Sequence, residues 1–119
     1  MPDLGDVIEI VIDIPGKNLR AGMQGTIVHC YADQAYEVEF TNDEGETLDF
    51  MSLHPGQFIV VWRAKTQEWV SLPERAAALI AILPDEAKQQ VLDFARFLSV
   101  RMQRVGNNRE LSSEVLPRS

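Results

Sequence analysis

The sequence predicts an α+β chain: a small five-stranded β-barrel over residues 1–62, then a C-terminal helical hairpin over residues 72–104. Three observations lead to this. Residues 5–62 hold short β-branched or alternating runs, each bounded by glycine, proline or Asx turns. Residues 71–86 hold two helix starts in succession, Ser71-Leu72-Pro73-Glu74 and Leu83-Pro84-Asp85-Glu86. The charge changes at the same junction: eleven acids face only Lys17 and Arg20 in residues 1–62, a balance of −9, whereas nine bases outnumber seven acids in residues 63–119.

Gly5-Asp6 precedes the first strand, Val7-Ile8-Glu9-Ile10-Val11-Ile12, and residues 13–20 form a loop too long for a tight hairpin. Gly22 and Gly25 bracket the entry to the second strand, Thr26 to Tyr31, where the chain turns sharply and side chains would crowd the barrel end. After the Ala32–Ala35 turn, Tyr36-Glu37-Val38-Glu39-Phe40 alternates. This places Tyr36, Val38 and Phe40 in the core and both glutamates in solvent. Asn42-Asp43-Glu44-Gly45 turns the chain into a fourth strand, Thr47 to Phe50. The bend Leu53-His54-Pro55-Gly56 then leads to a fifth, Gln57 to Trp62. Five short strands with one long early loop and tight later turns describe a partly open SH3-like barrel.

Residues 4–62 carry a resemblance in Gly5-Asp6-Val7-Ile8-Glu9, in Leu19-Arg20-Ala21-Gly22-Met23-Gln24-Gly25-Thr26-Ile27-Val28 and in Ala35-Tyr36-Glu37-Val38-Glu39-Phe40. The segment resembles an uncharacterised bacterial family of SH3-like domains and is similar to the broader KOW-type barrels. KOW barrels of ribosomal and transcription proteins carry basic loops for RNA. The loops here are acidic, so RNA binding does not carry over.

Residues 63–71 read as a polar linker. In the first helix Ser71 caps, Pro73 occupies the first turn, and Glu74 meets the positive end of the dipole. The apolar run from Ala76 to Leu83 suits a helix buried by neighbours. The second helix runs to about Arg104, with Ala87, Val91, Phe94, Ala95, Leu98, Met102 and Val105 at three- and four-residue spacing, and with Leu92 and Phe97 widening the stripe. Gly106 and the asparagines after it stop this helix, and residues 105–119 read as a disordered tail. The Leu83–Leu98 segment, with its Leu-Pro, acidic turn, Val-Leu-Asp-Phe and final Phe-Leu, resembles a segment of small bacterial antitoxins of the VapB type. In those proteins the helix is linked with dimer or partner contacts.

No residue set for chemistry emerges. His29 and Cys30 are neighbours on a strand, so their side chains point to opposite faces and form no dyad, and Cys30 reads as a buried or half-buried apolar residue. Two histidines and one cysteine make no metal-ligand spacing, and Asp43-Glu44-Glu46-Asp49 lacks the closing glutamate of a calcium loop. No catalytic, cofactor or metal site is assigned. A single cysteine, no apolar run long enough for a bilayer and no signal-like first residues make the cytoplasm the default compartment.

The acids either keep the protein soluble or meet a basic partner. On the second reading Glu37, Glu39, Asp43, Glu44, Glu46 and Asp49 form an acidic binding face. Val91, Phe94, Phe97, Leu98, Arg101 and Met102 form a helix face for a partner or a homodimer. Arg101 and Arg104 also suit a helix C-terminus without any ligand. The function expected is a non-catalytic protein-binding module, the antitoxin or immunity-like component that neutralises a small basic toxin, which the resemblance implies is a ribonuclease. The alternative is a structural subunit or assembly factor that docks on a larger complex through its barrel. Nucleic acid does not suit the acidic barrel.

Overall fold

The computed structural model describes residues 1–110, and the side chains of 107–110 are left out of the description. Six antiparallel strands are present: β1 (Val7–Ile10), β2 (Gln24–Cys30), β3 (Tyr36–Thr41), β4 (Thr47–Leu53), β5 (Phe58–Arg63) and β6 (Glu68–Trp69). Two helices follow, α1 (Leu72–Ile82) and α2 (Asp85–Glu110). The chain divides into two compact units, residues 1–82 and residues 83 onward, so α1 belongs with the sheet and α2 stands as a unit of its own.

The strands form one sheet in the order β4-β3-β2-β1-β5-β6. β1 to β4 is a meander, and the chain then passes from β4, at one edge, to β5, on the far side of β1. Only residues 54–57 make that connection, folded into a 3-10 turn at Pro55–Gln57 in which the Gln57 N–H donates to the His54 carbonyl at 2.9 Å. In a flat sheet four strand intervals span about 19 Å. Five fully extended residue steps reach only about 18 Å, and a 3-10 turn reaches less. The sheet therefore rolls. The Tyr36 and Phe58 rings, on strands that a flat sheet would hold about 14 Å apart, meet edge to face with centroids 5.7 Å apart.

Inside the roll sits the core: Ile8, Ile10, Ile27, Tyr36, Val38, Phe40, Leu53 and Phe58, with Leu19 added from the long β1–β2 loop. That loop folds on itself through a 3-10 turn at Pro15–Lys17, an Ile14–Leu19 bridge, and an Asp13 carboxylate that accepts from the Ala21 N–H at 2.8 Å. Tyr36, Val38 and Phe40 are buried, as the alternation predicts, while Glu37 and Glu39 are half-buried on the outer face. Asp6 is the buried polar residue of this unit. Its carboxylate accepts the Asp3 N–H and the Ala64 N–H, both at 2.9 Å, tying the start of β1 to the β5–β6 turn.

Several expectations need correction. The sheet has six strands rather than five, and it is open: no ladder joins β4 to β5 or β6. Residues 63–71, read as a linker, hold β6 and the buried Val70, whose N–H donates to the Val61 carbonyl at 2.9 Å. A two-residue strand is too short to show a period in the sequence. The first helix does not bury itself on all sides. α1 packs against β5, where Ile59 and Val61 are buried, but contributes no buried residue of its own. Small alanines give it an apolar composition without bulk to inter. α2 passes through Gly106 and both asparagines to Glu110, because one glycine costs a helix only about 1 kcal/mol. The rest of the expected tail, residues 111–119, lies outside the described residues.

At the start of α1 the Ser71 Oγ accepts the Glu74 N–H at 3.2 Å and the Glu74 carboxylate accepts the Ser71 N–H at 3.3 Å, a capping box, with the Ser71 hydroxyl donating to the same carboxylate at 3.0 Å. These Ser71 bonds, with the Arg63 charge behind them, hold the Glu74 carboxyl below its ordinary range. A depressed carboxyl stabilises the fold above its unfolded pKa, and that contribution is lost as pH falls through the folded value.

Two measurements check this architecture. Gly25 lies on β2 where a Cβ would come within 2.6 Å of Val38 Cγ1 and 2.9 Å of the Glu39 carbonyl oxygen. Because backbone cannot yield cheaply, Gly25→Ala is expected to lower stability by about 1–3 kcal/mol in denaturant titration. A fragment ending at Trp62 loses β6 and α1, exposing Ile59 and Val61, and should melt below a fragment ending at Ile82; equal midpoints would contradict the packing described.

Candidate functional site

β3 positions the first two acids. Glu37 and Glu39 alternate with the core residues Val38 and Phe40 and so project from the outer face of the sheet. Glu37 lies opposite His29 and Ser52, and Glu39 lies opposite Thr26 and Phe50. The Tyr31 hydroxyl donates to the Glu37 carboxylate at 3.1 Å, and the Thr47 hydroxyl donates to that of Glu39. Asn42 then builds the turn: its Oδ1 accepts the N–H groups of Glu44 and Glu46, both at 2.9 Å, and its Nδ2 donates to the Glu46 carboxylate at 2.8 Å. Gly45 completes it at φ +84°, a conformation that a side chain would strain. Asp43 and Glu44 are exposed on this turn.

Asp49 does not join them. It lies opposite Phe40, on the inner side of the ladder, and pairs with Lys17 Nζ at 3.5 Å. The alternation that places Glu37 and Glu39 outward was legible; the extra residue at Leu48, where the β3–β4 register slips, was not. Asp49 also accepts the N–H of Phe50 at 2.8 Å, which occupies a donor on an edge strand. Among the described residues no lysine or arginine forms an ion pair with Glu37, Glu39, Asp43, Glu44 or Glu46. Hydroxyl and amide donors hold the Glu37, Glu39 and Glu46 carboxylates in place without neutralising them.

The register adds residues that the sequence reading missed. Trp69, Trp62, Val7, Thr26, Glu39 and Phe50 are successive cross-strand partners, one row across all six strands on the outer face. Its two ends are exposed aromatics, Trp69 at 64 % and Phe50 at 49 %. A Trp-rich strand end beside a polar stretch was the available signal, but it needs β6 to be meaningful.

His29 and Tyr31 stack edge to face at 4.5 Å beside Glu37. Cys30 is exposed rather than buried, as the last residue of β2 before the turn, although its cross-strand partner Tyr36 belongs to the core. Among the described residues no three side chains of metal-binding type cluster, and no helix is long and apolar enough to cross a membrane. A groove of about 360 Å³ between β5 and α1 is lined by Phe58, Ile59, Val70, Ala78 and Ile82. Its charged lining is committed elsewhere: Asp6 to backbone N–H groups, and Arg63 to Glu74 at 3.8 Å.

On α2 the sequence-assigned residues keep one helix: Val91 and Leu98 are half-buried, Phe94, Phe97, Arg101 and Met102 are exposed, and the Phe94 and Phe97 rings stack with centroids 6.0 Å apart. Acidic face and helix face thus belong to different units.

Residues 4–60 match the model of a family described as a domain of unknown function (DUF4926). The match covers β1 to β4 and ends within β5, leaving out β6 and both helices. No curated protein and no solved structure matches the chain.

The bond to the Glu37 carboxylate raises the pKa of the Tyr31 hydroxyl above its ordinary 10.0, with smaller contributions from desolvation and the carboxylate charge. Glu37→Gln removes the charge and is expected to bring Tyr31 ionisation down, read as tyrosinate absorbance against pH with Tyr31→Phe as the blank. An unchanged titration would mean that the two groups do not pair in solution.

Proposed function

We propose that this protein is a non-catalytic binding module whose outer sheet face receives a basic protein partner, in the manner of an antitoxin or immunity component. One observation carries the reading. Across the β3–β4 ladder, the uncompensated Glu39 stands directly opposite the exposed Phe50, with Glu37 and the Asn42 turn alongside. Unpaired carboxylates steer a cationic partner and raise its association rate, while an exposed aromatic supplies the area that is desolvated on contact. Asp49 occupies the Phe50 N–H, so the partner meets side chains rather than adding a strand to β4.

The SH3-like form of the barrel belongs to the same reading, supported by the rolled sheet and the short 3-10 link into β5. The same reading sets the protein in the cytoplasm, where the exposed, unpaired Cys30 stays a thiol. The exposed Trp69, at the opposite end of the cross-strand row from the acids, favours a second reading as a structural subunit or assembly factor that docks on a larger complex.

The test is neutralisation. A small basic protein encoded beside this chain's gene is expected to arrest growth when expressed alone, and co-expression of this chain restores growth. Glu37→Lys with Glu39→Lys should abolish the rescue and slow association roughly tenfold or more at low salt. No such neighbour, or a rescue that survives both reversals, would overturn the antitoxin reading.

A further inference from the structure

Each outward carboxylate of β3 has an exposed ring beside it. Phe50 stands directly opposite Glu39 across the β3–β4 ladder and is 49 % exposed. The Phe50 N–H donates to the Asp49 carboxylate and so is not spent on β3. Glu39 and Phe50 are therefore a pair without mutual backbone bonds, the kind whose side chains stand closest. Two residues back along β3, Glu37 accepts the Tyr31 hydroxyl, and Tyr31 is 42 % exposed.

The chemistry of these two pairs says what fits them. One hydroxyl donor on each carboxylate, from Thr47 and from Tyr31, leaves most of its roughly four acceptor positions open. Among the described residues neither carboxylate forms an ion pair with a lysine or arginine. A lysine ammonium would answer the charge, but it is compact and strongly hydrated and has no flat face for the ring. An arginine guanidinium answers both groups at once, its N–H edge toward the carboxylate and its face against the ring. Glu37 and Glu39 lie about 7 Å apart on one face, the spacing at which an extended segment presents alternate side chains.

We propose that the outer sheet face recognises two arginines at alternate positions of an extended basic segment, one guanidinium against Glu39 and Phe50 and the other against Glu37 and Tyr31. These two seats specify what the basic partner of the preceding reading presents, and they stand only if this face is its site. Arginines at adjacent positions point to opposite sides of an extended segment, so only one of them reaches the face. The bond from the Phe50 N–H to Asp49 keeps the segment over the side chains rather than at the β4 edge.

The probes are short capped glycine–serine peptides carrying two arginines or two lysines, titrated against the full chain at low salt and followed by the amide chemical shifts of β3 and β4. The Arg-x-Arg peptide is expected to bind about fivefold more tightly than the Lys-x-Lys peptide. It should also bind more tightly than a peptide whose two arginines are adjacent. Phe50→Leu keeps apolar bulk without the ring, and should cut the arginine preference to about twofold while leaving lysine binding unchanged. Tyr31→Leu should do the same at the other seat, and Glu37→Gln with Glu39→Gln should weaken both peptides. Circular dichroism checks that each variant keeps the fold. Equal affinity for the arginine and lysine peptides, a preference that survives both ring substitutions, or indifference to the spacing would each overturn the arginine seats while leaving the face to a basic partner. Binding of neither peptide, or binding that ignores the two glutamines, would overturn the seats and the partner face together.

Discussion

The four-residue passage from β4 to β5 is the constraint on which the rest of the sheet depends. It is too short to cross a flat sheet, so the meander has to curl until the end of β4 stands near the start of β5. Curling brings Tyr36 to Phe58 and encloses one side of every strand. It also makes Gly25 obligatory in size, because a Cβ there would collide with Val38, Phe40 and the Glu39 carbonyl. A small sheet with this curl has little core to spare, and β6 and α1 add to it by covering the outer flank of β5 at Ile59 and Val61.

The acids of the first unit are held in three different ways, and the difference decides what each can do. Asp6 is buried and bonded to two backbone N–H groups, a structural clamp. Asp49 is paired with Lys17 and tucked against the strand edge. Glu37, Glu39 and Glu46 are oriented by neutral donors, Tyr31, Thr47 and Asn42, which fix a carboxylate's position while leaving its charge to act at a distance. A negative composition by itself speaks of solubility. Negative charge held in a fixed arrangement beside exposed Phe50 is what the proposed binding face rests on.

Much of this was readable from residue order. The alternation at Tyr36–Phe40 placed both glutamates outward, and the Ser71–Glu74 spacing foretold the cap of α1. What escaped was non-local. β6 is two residues long and exists only because Trp62 and Arg63 offer it an edge. The position of Asp49 depends on a register slip at Leu48, which no pattern within β4 encodes. Cys30 looks apolar by type yet is exposed at the very end of β2. The cross-strand row from Trp69 to Phe50 draws one residue from each of six strands, so it becomes visible only when all the ladders are known.

The Asp6 clamp carries a consequence for how the chain acquires its structure. Its carboxylate reaches an N–H 58 residues further along, and β1, the strand it precedes, takes β2 on one side and β5 on the other. The β2–β3–β4 meander is built from neighbours and can begin to form as soon as it is synthesised. β1 cannot be flanked on both sides until the segment through Ala64 has left the ribosome. Until then Ile8 and Ile10 have an unfinished core above them and a bare edge beside them. Closing so long a loop is entropically costly and sets a slow final step, on the millisecond-to-second scale common to sheets with distant pairings. The protein is therefore most vulnerable to misassociation in the interval between completing its meander and receiving its fifth strand.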